Sequence, residues 1–470
     1  MFYKNKLPVS LFSSKSIFIL LLASIFLINS SSPVLASEDN FESLFSQMEE
    51  KTEPAEAPPG YFEKFWDNRS FTFSTINDVY LHSRSSEEQQ SASLISTNIL
   101  SFQSQFNIDR DILYLETWAE WSDLNKAYEQ QPWFNRNLET RRNRVHLNQL
   151  YYTFGLDEMD LILGKKKVEL GLASLYSPVD RYNRADLVDP IHPRAEGIWQ
   201  LGLNYYRGVD SLEFFIMPVY EPTRTPPTTS RWSVPRKSGT FNSNFMNLPG
   251  TTEKAFPNTE PSDWQYLINY KTVRAGWDLF AAASHSISGP VVKQKGLNYQ
   301  QKYFDVFNLS GGFSTVVDRW EFHGELLFQR PYDPVDDTFL KGVAGFKYKM
   351  DDRVRRFGIK KLETTFEMAS EHIISKPDDD ILFSTRDSRP GRLSYLLSLN
   401  AEKTEKLSYI VLSELDADKE TTFLGLGLKN KINNDLNCYF WAEFFDASSD
   451  SQLEPWEDND RIIFSLEYLI

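Results

Sequence analysis

Six histidines, one cysteine and one stretch dense in both charge signs are the side chains from which this 470-residue sequence could build chemistry. His82, His146, His192, His285, His323 and His372 are widely separated along the chain. No two stand at a metal-ligand spacing such as H-x-x-x-H, and Cys438 has no second cysteine to pair with. Neither a zinc site nor an internal disulfide is therefore expected. The nucleophile elbow G-x-S-x-G and the phosphate loop G-x-x-x-x-G-K-[ST] do not occur. No cofactor, metal or catalytic residue is assigned. One enzymatic reading stays open, a lipid-cleaving barrel with Ser and His near one rim, for which His146 and His323 are available bases. The plainer reading of both is a polar side chain facing a barrel interior.

The densest chemistry lies in Leu163–Leu203. Lys165, Lys166, Lys167, Arg181, Arg184 and Arg194 are interspersed there with Glu169, Asp180, Asp186, Asp189 and Glu196, and Pro178, Pro190 and Pro193 stiffen the chain. A loop of this kind can fold into a lumen and narrow it. The alternative is a solvated outer loop with internal salt bridges. In the first case the basic residues Lys165, Lys167, Arg181, Arg184 and Arg194 would face lumen carboxylates such as Glu116 and Glu120 across the narrowest point. With Asp180, these eight residues are the candidate binding site for a passing solute.

Such a loop needs a wall to hold it, and the rest of the chain reads as one. From Arg69 onward, segments of about ten residues alternate with period two. In Asp111–Asp123, Leu113, Leu115, Thr117, Ala119 and Trp121 share one face, with Tyr114, Glu116, Trp118 and Glu120 on the other. Trp320, Phe322, Leu326 and Phe328 likewise oppose Glu321, His323 and Glu325. Eighteen strands are predicted, at 69–82, 94–107, 111–123, 143–155, 158–165, 197–207, 210–220, 263–272, 275–286, 302–314, 318–329, 339–350, 357–371, 391–401, 405–415, 420–431, 435–446 and 460–470. Short turns between them alternate with longer loops at 83–93, 124–142, 166–196, 221–262, 287–301, 330–338, 372–390 and 447–459; only 416–419 is short where a long loop was due. This pattern predicts a transmembrane antiparallel β-barrel with short periplasmic turns and long outer loops. A soluble all-β domain is the alternative, but it has no reason to put its long loops on one side. The predicted lumen face is mixed, with Glu116, Glu120, Glu321, Glu325, Glu363, Glu367, Glu443 and Glu467 beside Lys341, Lys347, Lys349, Lys361 and Arg392.

The ends fit an exported protein. Lys4, Lys6 and Lys15 precede an apolar run from Ile17 to Ile28 and a small-residue exit at Val34-Leu35-Ala36, so residues 1–36 read as a signal peptide. An uncleaved anchor is the alternative, but twelve apolar residues fall short of the roughly 20 that span a bilayer as a helix. Residues 37–68 form an acidic, proline-containing periplasmic segment, and 69–470 the barrel. Net charge is −15, which argues against a nucleic-acid partner. Mean hydropathy is −0.43 although 14% of residues are aromatic, as expected when lipid-facing and water-facing residues alternate. In the last strand Ile462, Phe464, Leu466, Tyr468 and Ile470 share one face. It resembles the terminal strand that outer-membrane proteins present to the barrel-assembly machinery, with Ile470 where Phe or Trp is usual.

Gly164-Lys165-Lys166, Leu170-Gly171, Pro178-Val179-Asp180, Asn183, Asp186 and Gly197 together resemble the signature of outer-membrane barrels of the alginate-export type. That signature has G-R-Q, W-G, P-x-D and N-x-x-D before a return strand. Lys165, Lys166 and Leu170 replace its Arg, Gln and Trp. The resemblance implies a porin-like barrel; the mixed lumen lacks the arginine lining expected for an acidic polysaccharide. The expected function is a channel for hydrophilic solutes or oligosaccharides, resident among the lipids of a Gram-negative-type outer membrane. The alternatives are a lipid-acting barrel enzyme and a structural or adhesive barrel with a filled interior.

Overall fold

The structure, a computed structural model, describes residues 69–82, 93–123, 128–129, 141–226, 230–233, 252–295, 298–351, 353–378, 381–389, 392–418, 420–448, 451 and 453–470. The expected signal peptide at 1–36 and acidic segment at 37–68 lie outside the described residues.

Eighteen strands form one closed antiparallel barrel. They are β1 (Arg69–Tyr80), β2 (Leu94–Ile108), β3 (Asp111–Ser122), β4 (Val145–Gly155), β5 (Met159–Lys166), β6 (Ile198–Arg207), β7 (Asp210–Met217), β8 (Gln265–Arg274), β9 (Trp277–Lys295), β10 (Asn298–Val317), β11 (Trp320–Pro331), β12 (Thr338–Met350), β13 (Lys361–Ser375), β14 (Leu393–Glu402), β15 (Leu407–Asp416), β16 (Thr421–Lys431), β17 (Leu436–Asp446) and β18 (Arg461–Leu469). Each pairs with the next, and β18 returns to β1, with Thr72 opposite Leu469 and Tyr80 opposite Arg461. Closure leaves no edge whose peptide groups would face lipid unpaired.

The alternation decides which face is which. Along β11, His323, Glu325 and Gln329 are buried, whereas Trp320, Phe322 and Leu326 are 39–50% exposed. Leu163, Leu201, Phe214, Ile268, Leu309, Phe440 and Phe464 are exposed on other strands. Apolar side chains outside and polar ones inside invert the pattern of a water-soluble protein, and this is the arrangement that a bilayer stabilises. Tyr205, Tyr270, Trp277, Trp320, Tyr348 and Tyr468 lie near the short turns or the chain end, forming the aromatic girdle of one interface. No helix among the described residues is long and apolar enough to cross a membrane; the strands do so.

The turns and loops correct one expectation. The predicted long loop at 287–301 is instead an extended hairpin, because β9 and β10 stay paired as far as Lys295 and Asn298. Its register shifts between Ser288 and Val291. On either side of that irregularity Val291, Phe304 and Val306 pack with Val335, which gives the extended hairpin an apolar cluster of its own. The tight turns place Asp109, Gly208, Ala275, Gly276 and Asp318 at positive φ, as turns matched to strand twist require.

A core also fills part of the lumen. Val168, Leu170, Val179 and Tyr182 of the connection between β5 and β6 pack against inward residues Ile198, Phe215, Leu267, Phe280, Leu327 and Phe339. A second cluster joins Trp232 and Trp456 of two other outer loops to Tyr80, Ile95, Phe423 and Phe445 on the wall.

The inside-out pattern is tested by depth. Leu326→Arg, outward near the middle of β11, is expected to lower folding stability in lipid by about 2–4 kcal/mol, and Phe322→Arg, nearer the interface, by about 1 kcal/mol or less. Lys347→Gln on the inner face should be nearly neutral. Urea titration in bilayers reads all three, and equal costs on both faces would show the register to be off by one residue.

Candidate functional site

The connection from Lys167 to Gly197 leaves β5 and runs across the barrel interior. Arg184–Asp186 pairs back on Arg194–Glu196, but the irregular stretch before it has no ladder to join, so its N–H groups need other acceptors. Two inward carboxylates supply them. Glu325 on β11 accepts from the backbone of Leu172 at 2.5 Å and Ala173 at 2.6 Å, and from the Ser177 hydroxyl at 2.8 Å. Glu367 on β13 accepts from Ser174, Leu175 and Tyr176 at 2.7, 2.9 and 2.9 Å, and meets His323 Nε2 at 2.8 Å. A Cβ at Gly345 would fall 2.4 Å from Phe366 O and 2.9 Å from His323 Nε2, so glycine there leaves room for this cluster. Further along, Tyr182 donates to Ser284 Oγ at 2.9 Å on β9. Two residues before β5 ends, Gly164 stands at φ 132°, where a Cβ would fall 2.2 Å from Leu150 O.

The loop then reaches the opposite side. Arg461 on β18 binds Glu443 at 2.6 Å and Asp189 at 2.7 Å, and His192 Nε2 lies 2.5 Å from Glu443. The return passes β3, where Arg194 and Arg142 both bind Glu120 at 2.8 Å. Arg224, from the next outer loop, clasps Glu196 at 2.6 Å. That same outer loop carries Arg231, which donates to the backbone of His82 and Asp458 at 2.7 and 2.9 Å and lies over the Tyr80 ring.

The eight candidate residues have divided fates. Arg194 meets Glu120 as the predicted facing requires. Glu116 accepts from Gln149 at 2.8 Å on the neighbouring strand and does not reach the loop's basic residues. Lys165 donates to Leu147 O at 3.1 Å and lies 3.6 Å from Glu221. Lys167 uses its backbone N–H on Gln149 at 3.0 Å. Arg184 is buried between Glu196 and Glu221, at 3.7 and 3.9 Å. Asp180 accepts from Leu170 and Gly171 at 2.7 and 2.9 Å. Arg181 donates to Gln329, and no ion pair joins it to a carboxylate among the described residues. Asp180 and Arg181 are exposed although the wall surrounds them. The loop anchors Glu325, Glu367 and Glu443 were legible as inward residues, but their partners, hundreds of positions apart, carry no local signal. His146 and His323 are both buried inside the barrel.

A closed eighteen-strand barrel with an apolar belt outside and polar walls inside is an outer-membrane β-barrel, built for a Gram-negative-type outer membrane. No family model and no curated relative matches the chain. Among solved structures it is similar to Pseudomonas aeruginosa OccK11 (OpdR), at TM-score 0.48 and 10% identity over 86% of this chain and 95% of that one. It is also similar to Pseudomonas aeruginosa OccK9 (OpdG), at 0.45 and 10% over 86% and 99%. A triple mutant of Rhodopseudomonas blastica porin scores 0.37 at 8% identity over 86% and 99%.

Electrostatics tie the loop to the far wall. Burial alone would push the His192 imidazole down, but Glu443 and then Asp189 outweigh it and hold its pKa above the ordinary 6.5. Burial would raise the Asp189 carboxyl, but Arg461 and His192 prevail and hold it at about 2. A raised histidine pKa contributes stability that is complete below 6.5 and disappears as pH climbs through the raised value. Thermal stability in detergent should therefore fall as pH rises above 6.5, and His192→Gln should flatten that slope. Separately, Glu367→Ala leaves three loop N–H groups without their acceptor and should cost about 1–3 kcal/mol, read as faster proteolysis within 172–192.

Proposed function

We propose that this barrel is a porin-like channel that passes hydrophilic solutes or oligosaccharides, with the loop between β5 and β6 as its constriction. The observation that carries this reading is the pair Asp180 and Arg181, exposed to water yet enclosed by the barrel wall. Eighteen strands enclose enough cross-section for an aqueous path beside a folded loop. Into that path β15 presents Glu414 and Asp416, and Arg181, held by Gln329 on β11, brings a cation that no carboxylate pairs with among the described residues, whereas Lys341 is already paired with Glu371 at 3.5 Å. Opposite charges within one narrow lumen set up a local field, less screened there than at a surface. On this reading the protein is a channel rather than an enzyme.

A filled, structural barrel is the second reading, favoured by the two apolar clusters that outer loops build inside the wall. Conductance separates the two. Single channels of purified protein in a planar bilayer should show stepwise current, and deletion of 172–192 should enlarge the steps. Arg181→Ser should shift selectivity toward cations, whereas Arg184→Ser should weaken the loop without that shift, since Arg184 is already neutralised by Glu196 and Glu221. Inserted protein that carries no current would establish the filled barrel, and a deletion mutant with wild-type conductance would leave the loop without a role in the pore.

A further inference from the structure

Arg330 stands where a membrane wall has least use for a charge. Its neighbour Gln329 is fully buried inside the barrel and receives Arg181, so the alternation of β11 turns Arg330 outward, level with Phe307 on β10. The Arg330 side chain is exposed, and no hydrogen bond or ion pair holds it among the described residues. It lies at the outer end of β11, beside the connection 332–337 on the long-loop side.

Its surroundings divide in two. Beside it Phe307, and toward the membrane middle Leu309 and Leu326, form an outward apolar surface, at 37%, 52% and 50% exposure. At the level of the rim stands Tyr332, exposed, whose ring is 5.3 Å from that of His285, while exposed His372 on β13 lies in register with Leu340 and Phe328, one outward position deeper than Arg330. Asp305 is 3.7 Å from His285 and Asp333, next to Tyr332, is 3.6 Å from Lys302, so both carboxylates near this group have partners. A guanidinium on such a wall extends its stem along the apolar surface and carries its charge to the headgroup layer. There its planar fork matches phosphate oxygens bidentately.

We propose that Arg330, with Tyr332 two residues on at the same rim, binds the phosphate of an anionic lipid in the outer leaflet, whose acyl chains lie on the Phe307, Leu309 and Leu326 surface. A solute in the lumen cannot reach this wall, and a free phosphate gains nothing from the apolar surface beneath. The inference rests on the membrane placement of the barrel.

The test is native mass spectrometry of delipidated protein in detergent, titrated with phosphatidic acid, phosphatidylcholine or inorganic phosphate. Phosphatidic acid should bind the wild type, and R330Q should bind it at least about tenfold more weakly, the loss of one charge-assisted hydrogen bond. R330K should lose less, and K347Q on the inner wall should match the wild type. Equal binding by R330Q and wild type, or equal retention of phosphatidylcholine, overturns the site. Inorganic phosphate binding at Arg330 as tightly as phosphatidic acid overturns the lipid as its ligand. Faster migration of unboiled protein reports the folded barrel in each variant. Wild type without it defeats the membrane reading itself, whereas a folded barrel without Arg330-dependent binding defeats only this inference.

Discussion

The hydrocarbon layer holds no water to satisfy a peptide group, and each unpaired N–H or C=O left there costs several kcal/mol. Every other feature of this protein follows from meeting that demand with strands. Pairing β18 back onto β1 removes the last edge. The two-residue period of a strand then sends alternate side chains to lipid and to lumen, and a slip of one residue would exchange them all. Phe322 opposite Phe346 and Glu321 opposite Lys347 show both faces obeying one register.

A barrel wall has no interior of its own to pack, so the protein builds its buried core inside the lumen. The loop after β5 brings Val168, Leu170 and Val179 onto Phe215, Leu267 and Phe339. Apolar packing alone would leave the N–H groups of Leu172–Tyr176 dry and unpaired. Glu325 and Glu367 meet five of them, and an ionised acceptor makes each bond stronger than a neutral one would. Those carboxylates are consumed in holding the loop and add little to the field that a solute would meet.

The same accounting sorts the cations. Arg194, Arg224 and Arg461 each clasp a buried carboxylate, and Arg184 sits between two. Arg181 has only an amide oxygen and an aromatic face. Residues of one type within one loop thus divide into anchors and a free charge, and the division follows from which wall each side chain reaches.

The strands, their number and their inward and outward faces were determined by the sequence, because they depend on neighbours two residues apart. Trp320–Pro331 could be read from its own alternation, and Glu325 and Lys341 were placed inward without any knowledge of the fold. The hairpin through Lys295 and Asn298 was not legible, since glycine, proline and polar residues interrupt the alternation there and pairing across the two strands restores it. The inward course of Lys167–Gly197 was open between two readings, and Trp232 lay in a polar, proline-rich loop with nothing local to link it to Trp456. Only the tertiary structure decided these. Leu175 meets Glu367 across 192 positions and Arg231 meets Asn459 across 228, and such contacts exist only once the ladder has closed and brought distant strands around one lumen.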